Sequence, residues 1–367
     1  MINNKNFNLI QAYRPNTCVY KVFNSTDKMQ YAHHSYICKF KDKYIVMFSS
    51  GREHEDDVGQ RAVITFSRDL LSWTNPLKLE ITNNPKSVDT ACGFFVFNDK
   101  LYVYVGTYCY SDAFIKPDGS RIFEDKGHKN TKLYVLVSDD GEHFSAPIFT
   151  GLNMIPNMPP KLLSNGQVVI CGNFLMPVNR DFGKNINAWE IYGINTNIKT
   201  DDSETFYSAS EQMGIETNVC ECDLYQSNNG LFISLFRSQK KEFFGYLYSS
   251  VSRDLKSWGI PSKTEFTNDT SKFCVGKLSD GRFFYVGNPL VGGQRCPLVL
   301  SLSTDGENFT EHFVLGEEKP PIKFKGFAKF GAYGYPYALE DNGYFYAVYS
   351  INKEDVAITA VKIKDLY

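Results

Sequence analysis

A short turn motif occurs four times in this 367-residue chain and constrains the fold more than any single residue does. Each copy has a serine, an aspartate two positions later and an aromatic residue four positions after that aspartate. The copies are Ser67–Trp73, Ser138–Phe144, Ser252–Trp258 and Ser303–Phe309. The aspartate carboxylate can accept hydrogen bonds from nearby backbone N–H groups, so the motif predicts a rigid turn that recurs along a repeated structure.

Six hairpin-like segments accompany these turns, each with two apolar strands around a polar turn. They are Tyr36–Phe48, Gly93–Tyr104, Pro160–Cys171, Cys222–Phe236, Phe273–Val286 and Tyr337–Tyr349. The repeat predicts an all-β fold, a β-propeller with six blades by count and seven as the alternative. We expect the last blade to be closed by an N-terminal strand around Thr17–Phe23. Because no linker interrupts the pattern, residues 1–367 are predicted to form a single domain.

The composition limits the partners of such a chain. Its 39 Lys and Arg against 41 Asp and Glu give a net charge of −2, without the basic excess of a nucleic-acid-binding domain. No apolar run reaches the roughly 18–20 residues that a membrane helix needs, so no membrane partner is expected. Aromatic residues make up 15% of the chain, which suits sheet faces and also surfaces that stack against sugars.

The N-terminal residues lack the apolar core of a secretion signal, which predicts a cytoplasmic protein, or a secreted one if a leader has been removed. The sequence has no phosphate-binding glycine loop, no zinc-ligand spacing and no Gly-x-Ser-x-Gly turn. We therefore expect no cofactor and no metal-binding residues. A structural Ca²⁺ in the central channel is the alternative, although no ligand spacing supports it.

Three of the six histidines lie near the start of the first blade. His33 and His34 belong to the first strand of a hairpin, and His54 follows the second strand, twenty residues after His34. A hairpin brings these two ends to the same rim, where imidazoles can act as base and acid near neutral pH. Arg61 follows on the same rim and is predicted to bind substrate. A solvated charged loop is the alternative interpretation of residues 52–57.

Further candidates lie at the ends of later strands. Glu221 and Arg237 are separated by one hairpin, and Arg295 follows in the next blade. Two arginines from consecutive blades could hold a carboxylate, although an ordinary ion pair would explain either one. Tyrosines add candidates for catalysis or substrate binding, and these are Tyr335, Tyr333, Tyr108 and Tyr110.

The turn motif resembles the Asp-box of the sialidase superfamily, and the resemblance covers the whole chain. Sialidases hold a carboxylate with three arginines and use a Tyr–Glu pair to form a covalent intermediate. The resemblance implies that Glu221 and Tyr335 are this pair, and that Arg237 and Arg295 are the second and third arginines. Where sialidases place their first arginine, this chain has His33 and His34, and no acid/base aspartate is evident shortly afterwards.

The histidine pair is similar to that of propeller polysaccharide lyases, including the ulvan lyases and the L-rhamnose-α-1,4-D-glucuronate lyases. Those enzymes are seven-bladed and use two histidines, a tyrosine and arginines against a uronate. Removal of the proton beside a uronate carboxylate requires charge neutralisation, a base and an acid. The residues that would supply these roles are His34, His54, Tyr108 or Tyr110, Arg237 and Arg295.

Three functions remain open from the sequence, each with an acidic oligosaccharide or a glycan chain end as the partner. The preferred one is β-elimination at a glucuronate-type residue, with His34 and His54 as base and acid. The second is a sialidase-like exo-glycoside hydrolase that uses Tyr335 with Glu221. The third is a propeller that binds an acidic oligosaccharide without turnover.

Overall fold

The computed structural model shows an all-β propeller of six four-stranded antiparallel blades, counted over the residues that the structure describes. Those residues are 1–110, 112, 115–117, 122, 128–194, 219–238 and 244–366. The predicted propeller and the count of six blades are confirmed. The single domain over residues 1–367 stays a prediction, because residues such as 195–218 lie outside the described ranges.

The chain begins with β1 (Thr17–Phe23), and the next three blades follow in chain order. Blade one contains β2 (Tyr31–Phe40), β3 (Lys43–Gly51), β4 (Arg61–Ser67) and β5 (Leu77–Lys78). Blade two contains β6 (Val88–Phe97), β7 (Lys100–Tyr110), β8 (His128–Ser138) and β9 (Ile148–Phe149). Blade three contains β10 (Met158–Leu162), β11 (Val168–Cys171), β12 (Val178–Asn179) and β13 (Trp189–Glu190).

The remaining blades have the same order. Blade four contains β14 (Val219–Gln226), β15 (Phe232–Ser238), β16 (Gly245–Ser252) and β17 (Ser262–Asn268). Blade five contains β18 (Cys274–Lys277), β19 (Phe283–Gly287), β20 (Leu298–Ser303) and β21 (Glu311–Gly316). Blade six contains β22 (Gly334–Asp341), β23 (Tyr344–Ile351) and β24 (Asp355–Lys362), and a 3₁₀ helix follows at Ile363–Asp365.

The ring is closed by the N-terminal strand, as the sequence predicts. β1 pairs antiparallel with β24, so that Thr17 lies opposite Val361 and Lys21 opposite Ala357. The first strand of each blade is innermost, and neighbouring first strands such as β2, β6 and β22 pack against one another around the channel. Among the described residues, no helix is long and apolar enough to cross a membrane.

The four Asp-box turns join the third strand of a blade to the fourth, in blades one, two, four and five. In the first copy Asp69 accepts hydrogen bonds from the backbone N–H groups of Leu71 and Ser72, both at 2.9 Å. Asp305 makes the same pair of contacts at 2.7 Å. The residue after the aspartate has a positive φ in every copy, including 65° at Leu70. These turns are structural and fix the blade ends.

The innermost strands of five blades contain a β-bulge, and these bulges matter for the site. In four of them a residue within the shifted register has a positive φ: His34 (53°), Gly93 (93°), Glu221 (45°) and Tyr335 (53°). A bulge re-aims the side chain at that position. A positive φ is costly for non-glycine residues, so the backbone is strained at His34, Glu221 and Tyr335. Backbone strain of this kind is found most often at functional sites.

Candidate active site

A cavity of about 180 Å³ lies between the innermost strands and receives side chains from five blades. The three non-glycine bulge residues, His34, Glu221 and Tyr335, all line it. The bulges therefore bring together residues from blades one, four and six that are far apart in the chain. Of the predicted site residues, the cavity lining also includes Arg237 and Tyr108.

A tyrosine, a carboxylate and a guanidinium form the centre of this cavity. The Tyr335 hydroxyl donates a hydrogen bond to Glu221 Oε1, and Arg237 Nε donates to Glu221 Oε2. Arg237 Nη2 also lies 3.4 Å from the Tyr335 hydroxyl, and Nη1 donates to the Thr270 carbonyl at 3.2 Å. Glu221 is further held by its backbone N–H, which donates to Asn173 Oδ1 at 3.0 Å. Hydrogen bonds among the three side chains and to neighbouring residues thus fix their mutual orientation.

The charges of this group follow from burial and pairing. Burial alone would raise the pKa of Glu221, but the Arg237 cation and the Tyr335 hydroxyl lower it to about 2. Burial, with the Glu221 charge beside it, raises the pKa of Tyr335 well above its ordinary value. At neutral pH the site therefore holds a carboxylate that accepts a hydrogen bond from a protonated phenol.

The two histidines of β2 pack against Tyr335 but differ in exposure to the cavity. His34 lines it, and the ring centroids of His34 and Tyr335 are 5.4 Å apart. His33 is fully buried, with its ring centroid 4.2 Å from that of Tyr335. Burial lowers the pKa of His34 to about 4 and that of His33 well below its usual value. Both imidazoles are therefore neutral at physiological pH.

Lys272 was not identified from the sequence, although it lines the cavity. It lies in the short connection between β17 and β18, where only 3% of its surface is exposed. Its ammonium donates to the Tyr36 hydroxyl at 2.8 Å and lies 5.2 Å from the Tyr335 ring centroid. Burial lowers the pKa of Lys272 to about 8, although Glu221 opposes the shift. A connection without a motif gives no signal for such a residue.

Arg295 contacts the same tyrosine from blade five. Its guanidinium carbon lies 5.3 Å from the Tyr335 ring centroid and 4.9 Å from that of Phe330. The side chain is buried, and within the described residues its Nη1 has no hydrogen-bond partner. A buried guanidinium nitrogen without a partner is costly, so it is a candidate to meet an acceptor from a ligand.

Two further predicted site residues, His54 and Arg61, are not among the described lining of the central cavity. His54 lines a separate cavity, where its Nδ1 accepts a hydrogen bond from the Phe327 N–H at 3.0 Å. Arg61 donates to the Ser87 carbonyl at 2.6 Å and is absent from the described lining of the central cavity. The structure therefore does not bring His54 and His34 into one cavity, because the loop after β3 turns His54 towards Phe327.

Of the other predicted tyrosines, one lines the central cavity and two do not. Tyr108 lines the cavity. Tyr110 packs against the ring of Tyr108, with 5.8 Å between the ring centroids, and its hydroxyl donates to the Asp56 carbonyl at 3.0 Å. The Tyr333 hydroxyl accepts a hydrogen bond from the Glu318 N–H at 3.1 Å, and it is not among the described residues of the cavity wall. Asp56, which belongs to the charged loop of residues 52–57, also lines the cavity.

The chain is similar to a known family and to several solved structures. A family model for a BNR repeat-like domain matches residues 41–347. No curated protein sequence matches the chain. A solved sialidase is similar over 96% of this chain and 33% of its own, with 16% identity and a TM-score of 0.58.

Two further solved structures are similar. Trypanosoma rangeli sialidase in complex with sialic acid matches 96% of this chain and 59% of its own, at 13% identity and a TM-score of 0.62. Penicillium chrysogenum α-L-arabinanase complexed with arabinobiose matches 96% of this chain and 100% of its own, at 12% identity and a TM-score of 0.58. The chain thus spans a third to three-fifths of these two sialidases. At such identities the likeness is one of fold.

Proposed function

The chain belongs to the BNR repeat-like domain family, and on that premise we propose that it is a glycoside hydrolase that releases a terminal anionic sugar from a glycan. The observation that carries the proposal is the hydrogen bond from Tyr335 to Glu221 inside the central cavity. A phenol that donates to a buried carboxylate has a general base in place, and the pKa values of the two groups require the proton to move only as the Tyr335 oxygen bonds to the anomeric carbon. The sialidase and arabinanase named among similar structures support a sugar as the substrate.

The proposed reaction uses the group as a nucleophile–base pair. The Tyr335 oxygen attacks the anomeric carbon while its proton passes to Glu221, and the bond from that carbon to the leaving oxygen breaks. A carboxyl group that carries a proton must protonate the leaving oxygen. Asp56 is our candidate because it lines the wall, whereas Glu55, which also lines it, is held as a carboxylate by Lys353. Water then attacks the anomeric carbon and gives its proton to the Asp56 carboxylate, while the bond from that carbon to the Tyr335 oxygen breaks and Glu221 returns its proton to Tyr335. The sugar is released and both carboxyl groups regain their starting states.

Positive charge around Tyr335 favours an anionic sugar. The Lys272 ammonium lies 5.2 Å from the ring centroid of Tyr335 and the Arg295 guanidinium 5.3 Å from it. Arg237 adds a third cation, although Glu221 balances it. Arg295 is not among the described lining of the cavity but packs behind Tyr335, so a sugar carboxylate that reached its Nη1 would give that buried group an acceptor.

The size of the cavity supports action at a chain end. Its volume of about 180 Å³ is below the roughly 300–1,000 Å³ of sites that take drug-sized ligands. A single sugar ring suits this space better than an internal stretch of polysaccharide. We therefore expect one terminal residue to be bound and released.

β-Elimination at a uronate is the second candidate, and His34 is the observation that favours it. The neutral imidazole lines the cavity beside Tyr335, and a pKa of about 4 leaves it free to accept a proton at neutral pH. In that reaction His34 would remove the proton beside the uronate carboxylate, and Tyr335 would protonate the leaving oxygen. Hydrolysis ranks first because His54, the expected partner of His34, lines a different cavity.

The deciding experiment compares fluorogenic glycosides of sialic acid, glucuronic acid and L-arabinose. Release of the fluorophore from an anionic glycoside by the native protein, and its loss in Tyr335→Phe, would support hydrolysis. An oligosaccharide whose uronate carries another sugar on O4 serves as the lyase substrate, since elimination breaks the C4–O4 bond and creates a conjugated product that absorbs ultraviolet light. If anionic sugars bind, as measured by calorimetry, but no product of either kind forms, the protein is a binding propeller and the proposal fails.

A further inference from the structure

We propose that His33, His34 and Glu55 form a binding site for a single zinc-like transition-metal ion at the wall of the central cavity. One ligand atom from each residue lies within 4.8 Å of the other two. Two imidazole nitrogens and one carboxylate oxygen are a donor set that zinc takes in proteins, where three protein ligands leave a fourth position open. This inference does not depend on the proposed hydrolysis.

The orientation of His33 is the independent observation that points to a ligand. The Ser350 hydroxyl donates to the Gly334 carbonyl at 3.3 Å, so it accepts from His33 Nδ1, which lies 2.6 Å away. The lone pair of His33 is then on Nε2. That atom is buried, has no hydrogen-bond partner among the described residues, and lies 3.8 Å from Glu55 Oε1.

His34 is held in a matching way. Its Nδ1 lies 3.1 Å from the Ser49 hydroxyl, which itself accepts the Ala91 N–H at 3.0 Å. The Ser49 oxygen has a second lone pair that can accept the Nδ1–H of His34, and in that tautomer the lone pair of Nε2 is available to a metal ion. A metal-binding histidine is commonly oriented through its second nitrogen in this manner, and the bulge at His34 brings both rings to one side, 4.6 Å apart between centroids.

Geometry and charge select the kind of ion. Ligand atoms in a tetrahedral zinc site are about 3.4 Å apart, and those of the three residues lie within 4.8 Å of one another, so each pair needs to close by at most about 1.4 Å. Oε2 of Glu55 already accepts a hydrogen bond from the Lys353 ammonium at 2.5 Å. With one shared carboxylate, the site lacks the six to eight oxygen ligands that calcium prefers, whereas two neutral imidazoles suit zinc, cobalt or nickel.

The open coordination position would face the cavity, because His34 and Glu55 both line it. An ion there would lie beside Tyr335, whose ring packs on both histidines. No zinc-ligand spacing is visible in the sequence, since a bulge in β2 and the loop after β3 bring these ligands together.

The test is a titration of the chelator-treated full-length protein with Co²⁺, followed by visible absorption, and with Zn²⁺, followed by calorimetry. We expect one ion per chain, the intense visible bands of tetrahedral Co²⁺, and Zn²⁺ preferred to Ca²⁺. His34→Gln and Glu55→Gln should each weaken Zn²⁺ binding by about 100-fold. Both side chains line the cavity, so these variants are expected to fold even where His33→Gln does not.

Two further variants separate ligand loss from structural damage. His312 is a matched control, because it is also buried, with Nδ1 2.9 Å from a serine hydroxyl, but it belongs to no such group among the described residues. His312→Gln should leave the affinity unchanged. Lys353→Met should tighten Zn²⁺ binding about tenfold, since it frees Glu55 and removes a positive charge.

Three results would contradict the proposed metal site. The first is no saturable site in the wild type. The second is wild-type Zn²⁺ affinity in both His34→Gln and Glu55→Gln. The third is a sulfur-to-cobalt charge-transfer band, which would assign binding to some of the nine cysteines.

Discussion

The Tyr335 hydroxyl donates a hydrogen bond to Glu221 from blade six to blade four, across 114 residues of chain. Both residues occupy β-bulges with positive φ, 53° and 45°. The bulges aim both side chains into the same cavity, where Arg237 balances the carboxylate. The propeller thus orients a phenol and a carboxylate towards each other.

Removal of the Tyr335 hydroxyl is predicted to abolish turnover without unfolding the protein. Tyr335→Phe keeps the buried ring against His33 and His34 but removes the proposed nucleophile, so kcat should fall by about 10³-fold or more. Tyr333→Phe is the matched control, because this neighbouring phenol binds the Glu318 N–H instead of the cavity group. Steady-state kinetics and thermal melting measure both. Equal activity in the two variants would contradict the nucleophile assignment.

The Glu221–Arg237 pair is predicted to contribute to stability as well as to chemistry. Both side chains are only 13% exposed, so Glu221→Gln leaves a buried guanidinium without its counterion. We expect each of Glu221→Gln and Arg237→Gln to lower the free energy of unfolding by about 3 kcal/mol. The double variant should recover part of that loss, as measured by denaturant unfolding in a double-mutant cycle. Strictly additive losses would show that the two groups do not interact.

Much of the fold could be predicted from the sequence because its signals are local. The Asp-box turns and the closing strand β1 (Thr17–Phe23) are short patterns whose geometry depends on neighbouring residues. The site was only partly predictable. Glu221, Arg237 and Tyr335 were identified through their resemblance to sialidase positions, and the structure brings them together in one cavity.

The remaining site residues could not be inferred because they depend on loop direction and on bulges. Lys272 lies in a connection between blades, where composition carries no information about which way a side chain points. His54 has the spacing expected of a partner for His34, but its loop turns it towards Phe327. Spacing along a hairpin predicts a shared rim, not a shared cavity.

A buried aspartate near blade two predicts an unusual dependence of stability on pH. Burial raises the pKa of Asp89 to about 6, although Arg61 lies 3.5 Å away and opposes the shift. The folded protein then binds a proton more tightly than the unfolded chain does. This contribution to stability is present below about pH 4 and is lost as the pH rises through 6.

Asp89→Asn tests this linkage, because the amide cannot ionise. Between pH 4 and pH 7 the free energy of unfolding of the variant should rise relative to that of the wild type by about 2 kcal/mol. Asp27→Asn, at an exposed aspartate, is the control and should show no such trend. Denaturant unfolding at a series of pH values gives both curves. A constant difference between Asp89→Asn and the wild type would contradict the raised pKa.

Lys272 is predicted to determine the preference for an anionic sugar. Its buried ammonium makes a hydrogen bond with the neutral hydroxyl of Tyr36, so a substrate carboxylate would gain a charge-assisted contact. Lys272→Met should raise KM for an anionic glycoside by about 10- to 100-fold and leave KM for a neutral one nearly unchanged. Lys277→Met, at an exposed lysine of β18, is the control.

Lys272 also determines how KM for an anionic substrate should change with pH. Because burial lowers the pKa of Lys272 to about 8, the ammonium loses its proton as the pH rises from 7 to 9, and KM for the anionic substrate should rise over that interval. The unfolded chain binds this proton more tightly, so the contribution of Lys272 to stability should increase between pH 8 and about pH 10.4. In Lys272→Met both trends should disappear. A wild-type KM that is flat from pH 7 to 9, together with an unchanged KM in Lys272→Met, would exclude Lys272 from anion binding.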